Sequence, residues 1–137
     1  MILVFEDDPR LRDLYQRALA GLDRLVELFE APEHGWHLLS EAALVITDLE
    51  MPGMGGLRLL QHLEHDPLSP PVVVVSGSSR LEEARELAWA ALEKPIQLEE
   101  LIGVCRRILE PDRARKLWTY EPGSRNLEPS QQVARLP

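Results

Sequence analysis

Three features of this 137-residue chain predict an α/β fold, a doubly wound five-stranded parallel sheet with helices on both faces. Short apolar runs alternate along the chain with stripes at three- and four-residue spacing, which is the order of strands and amphipathic helices. The runs Ala43–Thr47 and Val72–Val75 are continuously apolar rather than alternating, as befits central strands covered on both faces. The strand candidates also lie too far apart for hairpins, so right-handed crossovers must join them.

Met1–Phe5 is the first strand candidate. It is followed by Leu11, Leu14, Tyr15, Ala18, Leu19 and Leu22, one stripe of a helix, with Pro9 suited to its first turn and the preceding acids to its N-terminus. Asp23–Ala31 contains LVELF, a second strand, after which PEHGWHLLSE allows only a short helix. Ala43–Thr47 is the third strand, and Leu57, Leu60 and Leu63 stripe the helix that runs to the DPLSPP turn. Val72–Val75 is the fourth strand, Leu81–Trp89 the fourth helix, and AALEK a fifth strand ending at Lys94. Leu98, Leu101, Ile102, Cys105, Ile108 and Leu109 form the last stripe, before Pro111. Five strand and five helix candidates alternate. The expected division is a domain over 1–110 and a C-terminal tail over 111–137.

Composition narrows the function classes. The 45% hydrophobic content suits one globular domain. The apolar start runs into Glu6-Asp7-Asp8 after five residues, unlike a signal peptide, and no apolar stretch approaches the roughly 20 residues that cross a bilayer. The single cysteine, Cys105, excludes an internal disulfide framework, and a cytoplasmic location is expected. The formal charge of −8 argues against direct nucleic-acid binding. Residues 1–110 carry 20 acids and 10 bases and residues 111–137 carry 3 and 5, so a body near −10 precedes a tail near +2. His34, His37, His62 and His65 share no evident site, and Trp36, Trp89 and Trp118 read as packing residues.

In an open parallel sheet ligands sit beyond the carboxyl ends of the strands. The residues at those ends are Glu6, Asp7 and Asp8, then Asp48, Ser76 and Lys94. Clustered carboxylates repel one another and each is penalised by desolvation, a conflict that a hard divalent cation resolves. Magnesium takes one or two carboxylates together with water and phosphoryl oxygens. Lys94 and Ser76 would then address an anion, and a phosphoryl group fits. Each piece alone has a blander reading: the acids can serve a helix N-terminus, Ser76 a turn, and Lys94 a solvated surface.

The sequences EDDP after the first strand, DLEMPGMGG after the third, SGS after the valines, and KPI near the end together resemble the receiver domain of bacterial two-component response regulators. The resemblance covers about residues 1–110 and implies a flavodoxin-like or CheY-like (βα)5 fold. It implies that Asp48 is the phospho-acceptor, with Mg2+ held by Asp7, Asp48, the backbone carbonyl of Glu50 and, through water, Glu6. Ser76 would bind the phosphoryl group and Lys94 would pair with it. The implied partners are a sensor histidine kinase or a histidine phosphotransfer protein and a downstream protein, without membrane or direct nucleic-acid contact. The reaction is the chain's own phosphorylation and dephosphorylation rather than enzymatic turnover. On this reading Pro52 stiffens the acceptor turn, and Gly53 and Gly56 allow conformations that bulkier residues resist.

Four departures from the family pattern qualify the resemblance. Ala91 stands where receivers usually carry an aromatic switch, and Trp89, two residues earlier, is expected on the same strand face as a substitute. Gly55 replaces a common Asp, removing a side-chain helix cap. Only 18 positions separate Ser76 from Lys94, so the fourth helical unit should be abbreviated. That argues against the dimer face many relatives build there and leaves a homodimer through another surface. After Leu109 the expectation is a stand-alone receiver, with DRARKLWTY capping the domain or serving as a docking element. Two alternatives remain at this point: a phosphorylation-independent pseudo-receiver, and a small Mg2+-dependent aspartyl-phosphate phosphohydrolase, the latter disfavoured by Glu50 in place of a second Asp.

Overall fold

The computed structural model describes residues 1–110. Its strands are β1 (Ile2–Phe5), β2 (Val26–Phe29), β3 (Leu44–Thr47), β4 (Val72–Ser76) and β5 (Ala90–Glu93). They pair in parallel in the order β2-β1-β3-β4-β5. Every residue of β1, β3 and β4 is buried, as continuous apolar runs require, while β2 at one edge is half-buried throughout.

Two apolar layers sandwich this sheet. On one face α1 (Pro9–Leu19) and α5 (Leu98–Leu109) press Tyr15, Leu19, Leu101, Val104 and Cys105 against Ile2, Val4, Ile46 and Val73. On the other lie α2 (Pro32–Gly35), continued by a 3-10 stretch over Trp36–Glu41, then α3 (Gly56–Glu64) and α4 (Leu81–Arg85). Leu57, Leu60 and Leu63 are buried as their spacing predicts; Leu59, outside that stripe, is buried too. Trp36 packs on this layer and carries the exposed His62 ring at a centroid distance of 4.7 Å. Burial pushes the Cys105 thiol up to about 12.

The helix ends follow local chemistry. Asp8 caps α1 by accepting from the Arg10 N–H at 2.8 Å, with Pro9 in the first turn. The α3 N-cap is Gly55, without a side-chain hydrogen bond, as the sequence led us to expect.

The fourth helix is shorter than the expected Leu81–Trp89 and stops at Arg85. The N–H groups of Leu87 and Ala88 both donate to the Ala84 carbonyl, and the Trp89 N–H already donates to Val72 in the sheet at 2.7 Å. With so few residues between β4 and β5, the chain must leave the helix early to reach register. Trp89 also does not substitute for an aromatic at Ala91. It precedes β5 at the N-terminal end of the sheet and packs on the α1/α5 layer, whereas Ala91 faces the α3/α4 layer. Residues 111–137, including DRARKLWTY, lie outside the described residues.

Candidate functional site

The register of β1 with its neighbours β2 and β3 brings the acids together. Phe5 pairs with both Phe29 and Thr47, so Glu6 and Asp48 each leave the sheet at the same level, one strand apart. The Asp48 N–H donates to the Phe5 carbonyl at 3.3 Å and the Glu6 N–H to Phe29 at 3.0 Å, which fixes both backbones. Arg12 of α1 reaches back to the Glu6 carbonyl at 2.7 Å.

Asp48 is 7% exposed and its two carboxylate oxygens have different partners. Oδ1 accepts from the N–H groups of Leu49 at 2.6 Å and Glu50 at 3.3 Å. Oδ2 faces the Lys94 ammonium at 2.6 Å. The same Nζ donates to Glu6 Oε1 at 3.1 Å, and Glu6 Oε2 accepts from the Asp8 N–H at 3.2 Å. One ammonium thus bridges two buried carboxylates.

The electrostatics follow from burial first. Glu6, 1% exposed, is held above the usual glutamate range because desolvation outweighs its bonds to Lys94 and the Asp8 N–H. For Lys94, burial acts to lower the ammonium's pKa, but the hydrogen bonds to Asp48 and Glu6 together leave it above the ordinary lysine value.

Asp7 completes the cluster from the exposed side. Carboxylate oxygens of Glu6, Asp7 and Asp48 lie within 4.8 Å of one another. Three carboxylates against one ammonium leave an excess of two negative charges when all are ionised, and hard oxygen donors are what a divalent cation such as Mg2+ selects. The donor set therefore fits that ion. Asp8, by contrast, is committed to its helix: hydrogen bonds from Arg10 hold its carboxyl below the usual aspartate range. It caps α1 and does not belong to the acidic group of Glu6, Asp7 and Asp48.

The loop after Asp48 is shaped by two glycines for different reasons. Gly53 has φ +77°, in the region that favours glycine, and sits against the Glu33 carboxylate of α2, which accepts from the Met54 N–H at 3.2 Å. Gly56 is not a matter of backbone conformation. It opens α3 where a Cβ would run into the Asp48 carbonyl, so close approach demands glycine there. The role of Glu33 was not evident in the sequence, since a lone Glu on a four-residue helix carries no pattern.

Ser76 ends β4 at the same edge, paired with Glu93, and the Lys94 N–H donates to its carbonyl at 3.1 Å. Its hydroxyl accepts from the Ser78 N–H at 3.1 Å, turned to its own loop. Glu6, Asp7, Asp48, Ser76 and Lys94 therefore share one edge of the sheet, and Glu50 joins them through its backbone.

Comparison with known proteins agrees with this arrangement. A family model described as the response regulator receiver domain matches residues 2–106. The chain is 30% identical over 123 residues to the C4-dicarboxylate transport transcriptional regulatory protein DctD of Pseudomonas aeruginosa, covering 82% of this chain and 26% of that protein. It is 33% identical over 119 residues to the DNA-binding transcriptional regulator NtrC of Rhizobium meliloti, covering 82% and 25%. It thus spans about a quarter of the length of these curated relatives. Among solved structures, a signal receiver domain from Bermanella marisrubri superposes with a TM-score of 0.72 at 29% identity, covering 80% of this chain and 97% of that one. The apo receiver domain of nitrogen regulatory protein C gives 0.70 at 28%, covering 82% and 96%. The topology, the strand-end chemistry and these matches agree: the chain belongs to the response regulator receiver domain family.

Proposed function

We propose that this chain is a phosphorylation-dependent signalling receiver that takes a phosphoryl group onto Asp48 from the phosphohistidine of a sensor histidine kinase or histidine phosphotransfer protein. The observation that carries the reading is the division of labour on Asp48. Two backbone N–H groups immobilise Oδ1, leaving Oδ2 as the oxygen that faces Lys94.

In the transfer, an Asp48 carboxylate oxygen attacks phosphorus, the P–N bond breaks, and its electron pair returns to the imidazole, which takes a proton from solvent. Asp7 and Asp48, the Glu50 carbonyl and, through water, Glu6 would hold Mg2+, which when bound offsets charge on the phosphoryl oxygens. Lys94 exchanges its carboxylate partner for a phosphoryl oxygen, and Ser76 turns its hydroxyl from Ser78 to the new anion. The added charge biases the β4–α4 and β5 loops toward a second arrangement that a downstream protein reads. The chemistry is confined to the chain itself, with no free substrate turned over. Glu50, two residues beyond Asp48, and Ser78, two beyond Ser76, stand at the positions that tune dephosphorylation in receivers the sequence resembles. With 20 acids and 10 bases in residues 1–110, direct nucleic-acid contact is not part of this reading.

The test is intact mass after incubation with Mg2+ and acetyl phosphate. Wild type should gain one phosphoryl group and Asp48→Asn none. An unmodified wild type that also binds no Mg2+ would sink the proposal.

A further inference from the structure

At the end of the sheet opposite Asp48, a groove of about 450 Å3 opens between α3, the start of β4 and the segment after α4. Its existence follows from the short fourth helix. Because α4 stops at Arg85, none of the described residues covers the lower flank of α3, and Leu60, Leu63, Leu87 and Trp89 line an apolar floor. Beside it, on the DPLSPP turn, Leu68 is 87% exposed. Glu64, Asp66 and Glu86 stand around this floor, all exposed, and none of the three belongs to the ion pairs of Arg10, Arg17, Arg80, Arg85 and Lys94. An apolar trough rimmed by three carboxylates suits a segment that alternates cationic and large apolar side chains.

The chain itself carries such a segment. Residues 113–120 read RARKLWTY, three bases followed by Leu117, Trp118 and Tyr120, in a tail near +2 that follows a body near −10. The point of departure is on the correct end of the molecule. Arg24, next to the Leu25 carbonyl that receives the Ile2 N–H, donates to the Leu109 carbonyl at 3.3 Å, so α5 ends by the N-terminal ends of β1 and β2. The groove lies by the N-terminal end of β4, marked by the Trp89 bond to Val72. Three strand spacings from β2 to β4 amount to about 14 Å. An extended chain from Glu110 to Leu117 reaches about 25 Å, enough to round the lower edge of the sheet as well.

We infer that the groove between α3 and the α4–β5 segment is the docking site for the chain's own residues 113–120, with Arg113, Arg115 and Lys116 at the carboxylate rim and the Leu117–Trp118 pair on the apolar floor. The contact is independent of Asp48 and of phosphorylation.

The test uses the full chain with Ser69→Cys in the groove and Thr119→Cys in the segment, treated with a short bismaleimide while Cys105 stays buried. A crosslink between positions 69 and 119 at monomer mass is expected. Glu64→Lys with Glu86→Lys should slow it about tenfold, as should Arg113→Glu with Arg115→Glu and Lys116→Glu, a loss within reach of several exposed ion pairs. Combining the two reversals should restore the rate, which a merely misfolded variant would not do. Absence of the crosslink, or a rate indifferent to both reversals, overturns the inference. A crosslink found only at dimer mass overturns it in favour of a second copy in the groove.

Discussion

On one face of the sheet α1 and α5 supply 11 and 12 helical residues, whereas on the other α2, α3 and α4 supply 4, 9 and 5. Both faces bury apolar layers, but only the first does so with helices of three or more turns. Asp48 follows β3, which both faces cover, so the acceptor is fixed by the sheet and not by the thinner layer. The difference separates two jobs. The thick face supplies rigidity, and the thin one carries the loops next to the acceptor and the groove left by the short α4.

Core truncation should expose that asymmetry most. Leu101→Ala, at a fully buried α5 position, is expected to cost about 4 kcal/mol, against about 1 kcal/mol for the half-buried Leu87→Ala on the thin face. Urea unfolding of both variants checks this, and equal losses would erase the distinction. On the thin face the exception is Gly56, where a Cβ meets the Asp48 backbone. Gly56→Ala should lose about 3 kcal/mol and with it Mg2+ binding, while Gly21→Ala, with open space around it, should stay close to wild type.

The charged edge comes next. Lys94→Ala leaves Glu6 and Asp48 facing each other without their ammonium, and a loss of about 2 kcal/mol is expected at neutral pH in the absence of metal, below the fully buried case because Lys94 retains 24% exposure. The pH dependence has a defined sign. With the Lys94 pKa raised by folding, its contribution is complete below the ordinary value of 10.5 and disappears as pH climbs through the folded value. For Glu6 the raised value gives the same sign in a lower pH range: its contribution is complete below the ordinary value of 4.5 and is lost as pH climbs through the folded value, because ionisation there weakens the fold, so Glu6→Gln should be slightly more stable than wild type at pH 7 without metal while binding Mg2+ less tightly. Thermal unfolding across pH, with each variant as its own control, distinguishes the two. The smallest effect is expected at Gly55→Asp, where a new side-chain cap worth about 1 kcal/mol is offset by a Cβ that would lie 2.9 Å from the Leu49 backbone carbonyl and force the turn to shift, leaving a net loss of under about 1 kcal/mol.

How far the sequence could be read follows the same division. The buried strands and the α1 and α5 stripes were legible because continuous and 3.6-period hydrophobicity reflects helices and strands that bury whole faces. The strand-end residues were legible because an open parallel sheet gathers them at one edge. The spacing of Ser76 and Lys94 announced a short fourth unit, but the Trp89 assignment and the residue at which α4 stops were not legible, because both depend on where the chain must re-enter register with β4, a tertiary demand that leaves no periodicity. The Glu33 contact to Met54 and the reason for Gly56 were equally hidden, being set by approach between segments distant in sequence or by a backbone carbonyl.

Cys105 gives the thick face a clock. The thiol is lodged between α5 and the sheet, and burial pushes it up to about 12. In the closed protein it is therefore both inaccessible and protonated, and a thiol reagent at neutral pH can react only during the moments when α5 lifts. The rate of that labelling counts openings directly.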